Sequence, residues 1–176
     1  MTIIEQSRFL AMGAHYGINH KRKYTGEPYF QHLENVAKIV AFNGGTDEMI
    51  AAAYLHDILE DTKFPPSSLF QIIGERVFDM VLALTDLQTP ENGNREKRKR
   101  SERDKLALAS KEVQTIKLAD LIDNTETIVS RDPNFAVVYM SEKRLLLQVL
   151  VSGDPILWKI ANEQVEKYYR KSPTTP

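Results

Sequence analysis

A chain of 176 residues, 42% hydrophobic and 27% charged, has the material for one soluble domain with a sizeable core. Its formal net charge of -1 supplies no global field to drive binding to nucleic acid or to a membrane surface. With no cysteine, disulfides and thiolate zinc sites are excluded, and imidazole and carboxylate remain as metal ligands.

The first predicted helix runs from Thr2 to about Tyr16, with Ile3, Ile4, Leu10 and Ala14 at helical spacing. His15, near its end, reads as a half-buried core histidine. Glu5 and Arg8 interrupt any apolar core of a signal peptide, and no apolar run nears the roughly 20 residues that span a bilayer, so a cytoplasmic location is expected. Residues 17–28 form a loop with consecutive basic residues Lys21, Arg22 and Lys23, a cluster that matters only if it overhangs a phosphate site. Pro28 suits the first turn of a second helix, about Tyr29 to Phe42, which Asn43-Gly44-Gly45 stops. Phe30, Leu33, Val36, Ala37 and Val40 form its apolar stripe, and His32 lies near that stripe.

Thr46 or Asp47 caps the next helix, which carries the chain's most unusual stretch, Ala51 to Thr62. The spacing predicts one apolar helix through this whole stretch, with His56 over Glu60 and Asp57 over Asp61. Charges beside Tyr54, Leu55, Ile58 and Leu59 are costly unless compensated, and a divalent metal ion is the most economical compensator. His56 and Asp57 can share an ion at the seam between their directions, leaving Glu60 and Asp61 one turn on, beside an attacking water. The plainer alternative, a helix end with solvated acids, explains less, because acids there oppose the helix dipole.

Ser68-Leu69-Phe70-Gln71 matches a capping box that starts a short helix stopping at Gly74. Another helix covers about Glu75 to Asp86, and a loop covers Gln88 to Asn94. Arg95 to Lys105 is dense in charge, read as a solvated helix face or a cationic wall toward a polyanion. No aromatic residue is interleaved there, which argues against single-stranded nucleic acid as a partner. A helix from about Glu112 to Ser130 sets Asp120 beside the apolar Ile116, Ala119, Leu121 and Ile122, with Asn124 one turn later. Amphipathic helices from Phe135 to Val151 and from Pro155 to about Tyr169 complete residues 1–171, and residues 172–176 read as a frayed tail. The expected architecture is all-α: a compact single-domain bundle of about eight to ten helices.

His32, His56, Asp57 and Asp120 thus lie on three predicted helices, and two nitrogens with two oxygens suit Mn²⁺, Fe²⁺ or Zn²⁺. The ordered pattern H…HD…D resembles the HD phosphohydrolase superfamily. His56-Asp57-Ile58-Leu59-Glu60-Asp61-Thr62 resembles the HDxxEDT motif of its RelA/SpoT hydrolase branch. Thr25-Gly26-Glu27-Pro28-Tyr29-Phe30-Gln31-His32 resembles TGEPYxxH, and Lys117-Leu118-Ala119-Asp120 through Asn124 resembles KLADxxxN. The length resembles that of stand-alone small alarmone hydrolases. The resemblance implies an HD-type helical fold, Mn²⁺ as cofactor and removal of the 3′-pyrophosphate of (p)ppGpp. It implies metal ligation by His32, His56, Asp57 and Asp120, water activation by Glu60 and Asp61, and nucleotide contacts by Arg22, Lys23, Asn124 and Arg144. The family's HxGQ element is His15-Tyr16-Gly17-Ile18 here, and Leu121, Asp123 and Gln148 also depart from its pattern. Those departures touch nucleotide recognition, so the alternative is an HD phosphohydrolase for an adenosine alarmone, NADPH or a nucleoside monophosphate. A binding or scaffold domain is the non-enzymatic alternative. The sequence leaves the oligomeric state open.

Overall fold

The computed structural model describes residues 1–171; the predicted tail, 172–176, lies outside the described residues. Ten α-helices follow one another: α1 (Ile3–Gly17), α2 (Phe30–Phe42), α3 (Asp47–Leu55), α4 (Ile58–Asp61), α5 (Pro66–Ile73), α6 (Glu75–Leu84), α7 (Arg95–Ala107), α8 (Lys111–Arg131), α9 (Pro133–Leu147) and α10 (Pro155–Lys171). A 3-10 turn at Pro90–Asn92 precedes α7. Among the described residues no strand forms; one isolated antiparallel bridge, Lys21 with Pro28, pins the loop before α2. The all-α expectation therefore holds.

Local chemistry sets most helix boundaries. Thr2 and Glu5 cap α1 reciprocally, and the Thr46 hydroxyl accepts the Met49 N–H at the start of α3. Gly44 takes a positive φ of 77° after α2, a conformation that favours glycine. The capping box expected at Ser68 does not form. Instead α5 begins at Pro66, three residues before the Leu69 start which that box implies, because the proline ring presets the first helical φ.

The larger correction concerns the stretch from Ala51 to Thr62, which is not one helix. α3 ends at Leu55 and α4 starts at Ile58, with Asp57 at φ -104°, ψ 1°. That bridge-region conformation redirects the chain for one residue, although the Asp61 N–H still bonds to the Asp57 carbonyl at 2.9 Å.

α3 lies in the middle of the bundle, packed by α1, α2, α6 and α8. Ala51, Ala52 and Ala53 are all fully buried, and their small side chains let neighbouring helices approach from every direction. α8 is the second inner helix, packed by α2, α6, α9 and α10. The break after α3, the stripe of α2 and the middle of α8 therefore meet inside the core.

Candidate metal centre

His32 comes from the first turn of α2, His56 and Asp57 from the α3–α4 break, and Asp120 from the middle of α8. Their ligand atoms converge. His32 Nε2 lies 3.3 Å from Asp120 Oδ1 and 3.8 Å from Asp57 Oδ2. His56 Nε2 lies 3.0 Å from Asp57 Oδ2 and 3.8 Å from Asp120 Oδ1. Had the helix continued, His56 and Asp57 would point roughly 100° apart; the break turns both toward one point.

Both imidazoles turn Nε2 toward that point. His56 Nδ1–H donates to the Ala53 carbonyl at 2.8 Å, and His32 Nδ1–H donates to the Asp123 carboxylate at 2.6 Å. Each remaining Nε2 is buried without a hydrogen-bond partner. Two orphaned nitrogens facing two carboxylate oxygens fit a cation, since ligand atoms around an ion with about 2.1 Å bonds lie about 3 Å apart. Electrostatics agree. Burial opposes charge on both histidines, yet Asp120 beside His32 and Asp57 beside His56 outweigh it and raise both above their ordinary range. Burial likewise pushes Asp57 and Asp120 up, but His56 holds the first, and Lys117 with the histidines holds the second, below the usual carboxylate range. The cluster is arranged to hold positive charge.

Supporting groups fix these side chains. The Tyr29 hydroxyl donates to Asp57 Oδ2 at 2.6 Å, and Asn124 Nδ2 donates to Asp120 Oδ1 at 2.6 Å. Asp123 also accepts from Asn35 at 2.9 Å and from Arg22 at 2.9 Å. Behind Asp120, Lys117 Nζ stands 3.1 Å from its Oδ2 and 3.3 Å from Glu102 Oε1, and Lys99 bonds Glu102 at 2.6 Å.

The remaining site candidates fall into three groups. Glu60 and Asp61 occupy α4, immediately after the break. Burial first, and then the Asp57 charge, raises both carboxyls, Asp61 to about 7. Glu60 Oε2 is anchored by the Asp86 N–H at 3.0 Å. Arg22 is committed inside the protein, paired with Asp123 and donating to the Thr127 hydroxyl at 3.1 Å, whereas the Lys23 side chain is 75% exposed. Arg144 is not brought to the cluster by any hydrogen bond or ion pair among the described residues; it lies over the Tyr169 ring at 5.8 Å. Sequence reasoning missed Tyr29, Asp123 and the buried Lys117–Glu102 pair as partners of the centre. Asp123 was visible one turn past Asp120 on the same helix, and Tyr29 lies inside a motif already quoted.

Fold and cluster define a class: a helical protein whose interior His/Asp centre is of the kind that takes a divalent cation. The chain belongs to the HD domain family, whose sequence model matches residues 10–145. It is 40% identical over 111 residues to a guanosine-3′,5′-bis(diphosphate) 3′-pyrophosphohydrolase of Aquifex aeolicus, a match covering 61% of this chain and 15% of that protein. It is 33% identical over 108 residues to the enzyme of the same name from Drosophila melanogaster, covering 60% of this chain and 59% of that one. The chain spans only 15%, 17% and 15% of the first three relatives it matches. The solved structure of a metazoan ortholog of SpoT, described as hydrolysing ppGpp, shares the fold at TM-score 0.85 and 23% identity, with 96% of each chain covered. A structure of lmo0812 from Listeria monocytogenes follows at TM-score 0.69 and 23% identity, covering 84% of this chain and 99% of that one. No described helix is long and apolar enough to cross a membrane.

Proposed function

We propose that this chain is a metal-dependent phosphohydrolase that removes the 3′-pyrophosphate from (p)ppGpp-type alarmones, giving GDP or GTP and pyrophosphate. The observation that carries the proposal is the pair of orphaned imidazole nitrogens facing Asp57 and Asp120, with two proton-hungry carboxyls on the adjoining turn. The names of the Aquifex and Drosophila relatives supply the substrate. In this proposal His32, His56, Asp57 and Asp120 hold the ion, and Mn²⁺ suits their mixed nitrogen and oxygen set. A divalent ion supplies Lewis-acid polarisation of a phosphoryl oxygen and eases deprotonation of water.

The chain's own groups do the rest. Glu60, held by the Asp86 N–H, or Asp61 takes the proton of the attacking water. Water adds to the phosphorus joined to the ribose 3′ oxygen; that phosphorus–oxygen bond breaks, and the 3′ oxygen leaves protonated. Tyr29 and Asn124 keep the Asp57 and Asp120 carboxylates oriented. Lys23, like Lys21, is an exposed cation of the loop and the one assigned here to phosphate, while Asn124 would meet the nucleotide only at its free edge. Residues 1–171 act as one domain.

A second substrate reading is favoured by Arg22, whose guanidinium is paired with Asp123 and not free in the cleft. That reading is the same hydrolysis on another nucleotide, such as an adenosine alarmone, NADPH or a monophosphate. Product analysis of the Mn²⁺-loaded protein decides: pyrophosphate with GDP from ppGpp supports the first reading, and orthophosphate from NADPH or monophosphates supports the second. Tight ppGpp binding with no product from any substrate would remove both.

A further inference from the structure

A second set of ligand-type atoms lies beside the first. His15 ends α1 and is 1% exposed, His20 sits in the loop before α2, and Asp61 ends α4. One ligand atom from each lies within 4.8 Å of the other two. His15 Nδ1 and His20 Nδ1 are 3.0 Å apart, and His20 Nδ1 is 4.0 Å from Asp61 Oδ2.

The loop holds this arrangement from both ends. The His20 N–H bonds to the His15 carbonyl, and the Tyr29 N–H bonds to the His20 carbonyl, each at 2.9 Å. The His20 ring stacks on Tyr29 with centroids 3.9 Å apart, and the two histidine rings are within 17° of parallel. Tyr29 stands between the two centres, since its hydroxyl bonds Asp57. These bonds and stacks fix where the loop places both rings.

Protons do not satisfy the set. Burial pushes His15 down to about 4 and lowers His20 as well, so both rings are neutral near pH 7. One proton between two neutral imidazoles makes one hydrogen bond and leaves Asp61, 4.0 Å off, beyond hydrogen-bond reach. A cation serves both lone pairs and the carboxylate together. At 3.0 Å, with ring centroids 5.2 Å apart, the two nitrogens face each other across an N–H···N hydrogen bond, and an ion would take that proton's place once both rings turn toward it. Asp61 needs only a side-chain adjustment, and its side chain is 30% exposed on the last residue of a four-residue helix.

We propose that His15, His20 and Asp61 form a second divalent-cation site, with Zn²⁺ or Co²⁺ the best match to two imidazoles and one carboxylate. Three protein ligands leave a position open to water or to a phosphate oxygen. One consequence rests on the hydrolase function proposed above: with Asp61 engaged as a ligand, Glu60 is the acid left to receive the water proton. The site itself does not depend on that function.

Co²⁺ titration of the metal-stripped full chain tests it, read by equilibrium dialysis and visible absorption, without any activity assay. The wild type is expected to bind two equivalents, and His20→Ala one. His20→Gln is a second, more conservative probe at the same loop position and is expected to lose the same equivalent. Asp61→Asn should weaken that equivalent by about tenfold or more. Asp120→Ala should lose the other equivalent and keep the one that His20→Ala removes. Wild-type saturation at a single equivalent that His20→Ala retains, or His20→Ala with wild-type stoichiometry and spectrum, overturns the second site. Failure of the first centre looks different: Asp120→Ala would then leave the stoichiometry unchanged.

Discussion

In the proposed mechanism the side chains around the α3–α4 break divide the work between holding charge and moving a proton, and single substitutions separate the two. Asp57 is shared between His56, His32 and Tyr29, so Asp57→Ala is expected to abolish metal binding and turnover together. Glu60 makes no side-chain hydrogen bond to the four proposed ligands and is held by the Asp86 N–H, so Glu60→Gln should keep the metal and lower turnover by about 10²–10⁴-fold. Metal content by mass spectrometry beside kcat distinguishes them. Asp123 acts one bond further out, through the His32 Nδ1–H. Asp123→Asn weakens the acceptor that fixes this ring, so metal affinity should fall by about 10–100-fold with little change in fold. Asp61 gives a pH signature. Its carboxyl is raised to about 7 by burial and by the Asp57 and Glu60 charges, against an ordinary value of 3.8. Between those pH values the unfolded chain has lost the proton and the folded chain keeps it, so metal-free stability falls as pH rises from about 4 to 7. Asp61→Asn removes that fall: equal to wild type near pH 3.5, it should be more stable by about 1–2 kcal/mol above pH 7. Urea titrations across that range check the sign.

At the level of whole elements, the helices were legible where local chemistry acts alone. Thr2, Thr46, Gly44 and Gly74 mark helix ends in the sequence and do so in the structure, whereas Pro28 lies ahead of the Tyr29 cap, in the bridge with Lys21, and not in the first turn of α2. The one functional boundary was not legible. Ile58 to Asp61 is helical by propensity, and Asp57 leaves the helical region where side chains from α2, the α3–α4 break and α8 meet, a long-range condition that no local pattern carries. The charged segment 95–105 was half legible. Its period says helix, but not that Lys99 and Glu102 turn inward and chain through Lys117 to Asp120, because that needs α8 as a partner. Arg22 misled in the same way: its motif position suggests phosphate, and its actual partner, Asp123, is 101 residues away. Element packing also makes a prediction at Gly45, whose hypothetical Cβ would stand 2.5 Å from Val40 Cγ1 and 2.9 Å from the Val40 carbonyl oxygen. Val40 is fully buried on α2, the helix that carries His32. Gly45→Ala should cost about 1–3 kcal/mol by overpacking, seen as a lower urea midpoint with an unchanged slope.

Across the whole molecule, the four proposed ligands tie the first turn of α2 to the α3–α4 break and to α8, elements that between them pack against most of the bundle. None of these ligand positions survives in the unfolded chain, so ion binding is linked to folding. Without a cation, two buried carboxylates and the acids of α4 repel, and the histidines compensate only by taking up protons. Adding Mn²⁺ at a hundredfold excess over its Kd should stabilise the fold by about 2.7 kcal/mol. For a chain of this length that is a rise in Tm of roughly 5–10 °C. The same addition to Asp120→Ala should raise Tm by clearly less than in the wild type, because one of the four ligands of this centre is gone. Thermal melts of both proteins with and without Mn²⁺ settle the point. An equal rise in the two would show that the ion stabilises the bundle from somewhere other than the junction of α2, α3–α4 and α8.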